Sequence, residues 1–231
     1  MLSHLGENIR AFPVRWLLGL IAFFILFADL DLMVSGWFYT PGVGFAHAQD
    51  AFPQFVRKGL PRIMIGGVVV LIAVWAYGRF HLGRTLWGIS GRVTAFLVSS
   101  LALGPGLITN AVFKAYWGRA RPSQIVEFGG DAQFTPAALM VDQCASNCSF
   151  FSGHAALGFW VFALALLVPV RYRSSAIVAS LAFGLMVGVV RIAQGGHFFS
   201  DVVFAGVLTV SLSWWLHRKI LGSELEPWQK V

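Results

Sequence analysis

Along this chain, apolar residues run on for far longer than a buried strand requires, and short polar segments separate the runs. Six such runs stand out, at residues 16–37, 60–77, 93–113, 152–170, 174–190 and 197–216. A helix rises about 1.5 Å per residue, so roughly 20 apolar residues cross a hydrocarbon layer of about 30 Å. Membrane barrels instead alternate polar and apolar positions over strands of about ten residues. The pattern predicts an all-α, polytopic membrane protein of six transmembrane helices, a single domain over residues 1–231. The longest polar stretch, residues 115–150, is a loop on one side. Gly104-Pro105-Gly106 marks a kink or a packing notch inside the third helix.

Composition agrees with this reading. Of 231 residues, 57% are hydrophobic and 12% charged, where soluble domains carry about a quarter charged. The net charge of +7 does not point to nucleic acid, because the basic residues are scattered between apolar runs. They read as topology signals and, in a few cases, as ligands for an anion. Six crossings put both termini on one side. That side carries the larger share of Lys and Arg, among them Arg10, Arg15, Arg79, Arg84, Arg92, Arg171, Arg173, Arg218, Lys219 and Lys230. This predicts cytoplasmic termini. The first run is read as a retained helix, since the cleavage-like Ala46-His47-Ala48 lies too far beyond its apolar core. Asp29 and Asp31, near its far end, are expected to face the bundle or the interface. Cys144 and Cys148 share one loop without nearby histidines, a weak zinc pattern; a short disulfide and two free thiols both remain open.

Three polar clusters fall at the outer ends of the third to sixth helices. Lys114 and Arg121 flank the end of the third, and a continuing helix would carry both on one face. Ser152-Gly153-His154 opens the fourth, where an N-cap serine and free backbone N–H groups make an anion site. His154 is placed to give a proton to a leaving oxygen. Arg191 ends the fifth, and His197 and Asp201 begin the sixth. Four residues apart on a helix, a carboxylate holds one imidazole nitrogen and leaves the other directed outward. Gly195-Gly196 allows close backbone approach, and Arg191 supplies a planar fork suited to phosphate. A structural bundle has no reason to gather these groups at one face.

The order Lys-six residues-Arg-Pro, Ser-Gly-His, Arg-five residues-His-three residues-Asp resembles the type 2 phosphatidic acid phosphatases, the membrane lipid phosphate phosphatases. The resemblance covers about residues 93–215. It implies that Lys114, Arg121 and Arg191 bind phosphate oxygens, with Ser152 and Gly153 adding hydroxyl and backbone donors. It implies that His197 is the nucleophile of a phosphohistidine, that Asp201 orients it, and that His154 protonates the leaving alkoxide and later activates water. It implies no metal and no cofactor, which fits a chain without a carboxylate cluster. Phe151 and Val190 depart from the family's usual proline and serine without removing a catalytic group.

Three cations and a helix N-terminus match a phosphate dianion. A site at the membrane edge favours a lipid-borne phosphate, and the last two motifs are similar to bacterial lipid A phosphatases. The expected partners are therefore a phospholipid or lipid A substrate and membrane lipids, with the active site facing the periplasm across the inner membrane. Phosphatidylglycerophosphate and undecaprenyl diphosphate are the competing substrates. Nearby aromatic residues (Tyr116, Trp117, Phe128, Phe134, Phe150, Phe151, Phe198, Phe199) are read as a headgroup belt. A transporter would show paired discontinuous helices in matching halves, which are not found. A soluble haloperoxidase does not fit this hydrophobicity, and a non-catalytic lipid-binding protein does not account for the full set of charged residues.

Overall fold

The computed structural model describes residues 13–222. The polar lead with Arg10 and the tail with Lys230 lie outside the described residues. Helices α1 (Pro13–Leu26) and α2 (Asp29–Gly36) meet at a 68° bend. Helix α3 (Ala51–Phe80) is continuous but contains one π turn, Phe55–Gly59. Helix α4 starts as Gly91–Leu101, widens into a π-helix over Ala102–Phe113 and ends in the turn Lys114–Tyr116. The long loop follows, and then α5 (Gly153–Ala165), α6 (Val170–Ala193) and α7 (Phe199–Ile220). Among the described residues the β pairings are two isolated bridges.

The fold is all-helical, as the apolar runs predict, but the six runs are not six equal crossings. Four helices are long and apolar enough to span a membrane, and the bent α1–α2 pair makes a fifth if counted as one. Helix α5 has only 13 residues, about 20 Å, short of the ~30 Å hydrocarbon layer. Its apolar run is interrupted by Leu167 and Val168, which form turn hydrogen bonds, and by Pro169, which caps α6. Ten of the 13 residues are buried. A helix hydrophobic all round belongs at the centre of a bundle, and α5 is that central post.

Glycine lets α6 and α7 come close around α5. A Cβ on Gly184 would stand 2.3 Å from the Phe159 ring, one on Gly206 2.9 Å from the same ring, and one on Gly188 2.2 Å from Val202. Small residues at helix contacts are what packing inside lipid requires, because lipid tails offer no hydrophobic drive to associate. Trp160 of α5 donates its indole N–H to Ser100 of α4 at 2.8 Å, joining the two helices.

Pro105 sits inside α4, where its missing N–H and its ring break the regular ladder. Just beyond it, side chains bond back to the backbone: Thr109 Oγ1 donates to the Gly104 carbonyl at 3.0 Å and Asn110 Nδ2 to that of Pro105 at 2.5 Å. The notch expected at Gly104 is present, with Leu212 of α7 seated 3.4 Å from where a Cβ would be. Substituting Gly188→Ala should overpack the α6–α7 contact and cost about 1–3 kcal/mol. The check is thermal unfolding in detergent, which should show a lower midpoint.

Candidate active site

Gly118 ends α4. Its φ of +67° turns the chain back, and a Cβ there would overlap the Val141 carbonyl at 1.6 Å. Lys114 and Arg121 therefore do not share a helical face; Arg121 lies in extended backbone beyond the break. The turn drives Arg119 into the centre of the protein, where it is fully buried. Its Nη2 donates to Asp31 at 2.8 Å and its Nη1 to Asp201 at 2.6 Å and to Ser200 Oγ at 2.9 Å. Nε donates to the Thr135 carbonyl at 2.9 Å, and the guanidinium lies 4.3 Å from the Phe198 ring centroid. Sequence reasoning did not single out Arg119. Asp31 was the signal for it: a carboxylate inside an apolar run requires a buried donor.

His197 precedes α7 rather than lying on it; the helix begins at Phe199 with Phe198 as its N-cap. Its Nδ1 donates to the Ser149 carbonyl at 2.7 Å and stands 3.8 Å from Asp201 Oδ2. Asp201 grips the surroundings more directly. It accepts from Ser149 Oγ at 2.5 Å and from the Phe198 N–H at 2.8 Å. The same serine thus links the carboxylate to the histidine. His197 Nε2 is buried and has no hydrogen-bond partner among the described residues. Burial, opposed by Asp201 and reinforced by Arg191 and Lys114, lowers the His197 pKa to about 3. The ring is neutral at physiological pH, with an unshared pair on Nε2.

Of the other predicted residues, Arg191 and Lys114 lie within electrostatic range of His197. Ser152 caps α5, accepting from the Ala155 N–H at 3.3 Å. A Cβ on Gly153 would stand 2.7 Å from Asn110 Oδ1 and 3.3 Å from Lys114 Nζ, so α4 and α5 meet at this glycine. His154 lies within electrostatic range of Arg191, Lys114 and Arg121, and its Nε2 is 2.9 Å from the Arg57 carbonyl. Arg191 is buried and donates to Gln194, while a Cβ on Gly196 would lie 2.3 Å from its Nη2. That is the close approach the paired glycines suggested. Phe151, where the family pattern has proline, packs its ring 4.1 Å from those of Phe113 and Phe150. Phe150, Phe151 and Phe198 are buried, so they are core rather than headgroup belt; Tyr116 is exposed.

Cys144 and Cys148 are joined in a disulfide. The small loop it closes presents Asn147, whose carbonyl accepts from Arg121 Nη2 at 2.7 Å and Nε at 3.2 Å. Arg121, Arg191 and Arg57 line a cavity of about 360 Å³ with Gln194, Gly195 and Gly196. A second, largely apolar cavity of about 340 Å³ reaches Lys114, Gly153 and His154 past Ile65 and Pro105. Burial, with Arg121 and Arg191 adding to it, lowers the Lys114 pKa to about 8. Burial and Arg57 lower that of Arg121.

Helices apolar enough to cross a membrane, with a buried histidine in electrostatic range of Arg191 and Lys114, define the class as a membrane protein with an anion-binding site. The chain belongs to the PAP2 superfamily, which matches residues 93–223. It is 35% identical to the Lipid A 4'-phosphatase of Francisella tularensis subsp. novicida (strain U112), over 83% of this chain and 86% of that one. It is 37% identical to the Lipid A 4'-phosphatase of Rhizobium etli, over 90% of this chain and 88% of that one. Against the Lipid A 1-phosphatase of Rhizobium etli it is 36% identical over 48% of this chain and 43% of that one. No solved structure matches the chain.

Replacing Arg119 by Leu should leave Asp31 and Asp201 buried without their cation, costing about 3–5 kcal/mol. Loss of folded protein in detergent-extracted membranes is the readout. Serine at both Cys144 and Cys148 should loosen the Asn147 contact to Arg121. Substrate KM should then rise while the fold survives, as measured by steady-state phosphate release.

Proposed function

We propose that this membrane lipid phosphatase removes the 4'-phosphate of lipid A through a phosphohistidine on His197. The observation that carries the substrate is the match to two Lipid A 4'-phosphatases over more than four fifths of each chain. The Lipid A 1-phosphatase aligns over only about half. The chemistry rests on His197 Nε2, buried and unpartnered beside Arg191 and Lys114.

In the first step, Nε2 attacks phosphorus while the bond from phosphorus to the sugar oxygen breaks. His154 gives that oxygen a proton. In the second step, His154 takes a proton from water, the water oxygen bonds to phosphorus, and the N–P bond breaks to release inorganic phosphate. Lys114, Arg121 and Arg191 balance the phosphate oxygens, with Ser152 and Gly153 at the α5 N-terminus adding donors. Asp201, 3.8 Å from Nδ1, balances the positive charge that the ring gains. The apolar cavity beside His154 suits acyl chains, and the arginine-lined one suits the polar headgroup. The reading sets the site at the periplasmic face of the bacterial inner membrane with cytoplasmic termini, and the bias of Lys and Arg between the two sides of the chain supports it.

Purified protein given lipid A with both phosphates should release the 4'-phosphate and leave the 1-phosphate, as read by mass spectrometry. Release of the 1-phosphate, or turnover only of phosphatidylglycerophosphate or undecaprenyl diphosphate, overturns the substrate. His197→Ala should abolish both turnover and acid-labile labelling from radioactive phosphate. Lys114 loses its charge as pH rises through about 8, so kcat/KM, which reports the free enzyme, should fall on that alkaline side. Lys114→Arg keeps its charge there and should move the fall to higher pH.

A further inference from the structure

His197 and His154 are arranged alike. Each gives one ring nitrogen to a backbone carbonyl, and each keeps the other nitrogen buried and unpartnered among the described residues. For His197 the carbonyl belongs to Ser149, within the matched region. For His154 it belongs to Arg57 of α3, outside residues 93–223.

The Arg57 carbonyl is available for a chemical reason. In a regular helix it would accept from the backbone N–H four residues on, and that residue is Pro61, which has none. The π turn at Phe55–Gly59 widens the helix immediately before the proline. Such turns are frequent at functional sites. A carbonyl oxygen can only accept, so the nitrogen 2.9 Å away must carry hydrogen: His154 is Nε2–H, and Nδ1 holds the lone pair. The opposite tautomer would set a lone pair against the carbonyl and leave both partners unsatisfied.

We propose that the Arg57 carbonyl, exposed by Pro61, is the positioning group that fixes the His154 tautomer and assigns proton transfer to Nδ1. The phosphate ester enters as its monoanion and passes its proton to Nδ1, which then gives it to the departing sugar oxygen. In hydrolysis, the same nitrogen takes a proton from water, while Nε2–H stays on the carbonyl throughout. This rests on the reading of His154 as the acid and base, and adds which nitrogen acts and what holds it. It also gives α3 a part in the reaction that the three motifs do not contain.

The direct test needs no activity. In protein labelled with ¹⁵N-histidine in detergent micelles, two-bond ¹H–¹⁵N spectra distinguish protonated from bare ring nitrogens, and His154→Gln identifies the signal. The expected result is protonated Nε2 and bare Nδ1 at neutral pH; the reverse overturns the proposal even if His154 proves catalytic. Unchanged turnover in His154→Ala would instead overturn the underlying assignment. The second arm is Pro61→Ala, which restores a competing N–H for the Arg57 carbonyl. An alkyl phosphate, whose leaving oxygen requires a proton, should lose roughly tenfold in kcat, a fraction of the 10²–10⁴ that general acid–base catalysis supplies. p-Nitrophenyl phosphate, which leaves without one, should lose little. Equal losses for both esters, or none for either, overturn the positioning role.

Discussion

One guanidinium between two carboxylates holds the centre of this protein together. Arg119 joins Asp31 of α2 to Asp201 of α7, and all three are fully buried. Such a group is costly to desolvate and is tolerated only when its geometry leaves no donor or acceptor unmet. Here the remaining needs are filled by Ser149, Ser200, the Phe198 and Ser200 N–H groups and the Thr135 carbonyl. The cation is thereby committed to structure.

From that anchor the placement runs outward by single contacts. Asp201 fixes the Ser149 hydroxyl, and the Ser149 carbonyl fixes His197 Nδ1. Each step is a short hydrogen bond between buried groups, so the imidazole has little freedom to turn. Its other nitrogen is left without a hydrogen-bond partner among the described residues, with Lys114 of α4 and Arg191 of α6 in electrostatic range of the ring. Glycines complete the arrangement from behind, since α5, α6 and the Gly195-Gly196 turn all approach where a Cβ would not fit. The packing of the bundle and the orientation of His197 are therefore parts of one problem.

Much of this was legible in the sequence because membrane helices and phosphate sites each leave local marks. Long apolar runs gave the helices, and the spacing of Lys114, Arg121, Ser152, Gly153, His154, Arg191, His197 and Asp201 gave the candidate site. Three things were not legible, each for a physical reason. The shortness of α5 depends on where a turn interrupts an apolar stretch, and hydropathy does not see turns made of Leu167 and Val168. The separation of Lys114 from a shared face with Arg121 depends on Gly118 adopting positive φ, which any glycine permits but none announces. The central role of Arg119 and the carbonyl partners of both histidines depend on contacts between distant segments. Backbone carbonyls carry no side-chain signature at all. Asp29 and Asp31 were both expected at the bundle or the interface; only Asp31 is buried, and it named the need for a cation without naming which.

The tie between Asp31 and the start of α7 spans 169 residues. During synthesis α2 reaches the membrane long before residue 200 exists, at roughly 5–20 residues per second. Until residue 119 is made the Asp31 carboxylate has no cation, and until residue 200 is made it has no serine. It must wait near headgroup water or in the company of the insertion machinery, because lipid offers it no partner. The bent, short α2 suits such waiting, since a half-inserted segment can keep one acidic end wet. Closure of the phosphate site is then the last act of assembly, and α7 is the segment that brings it about.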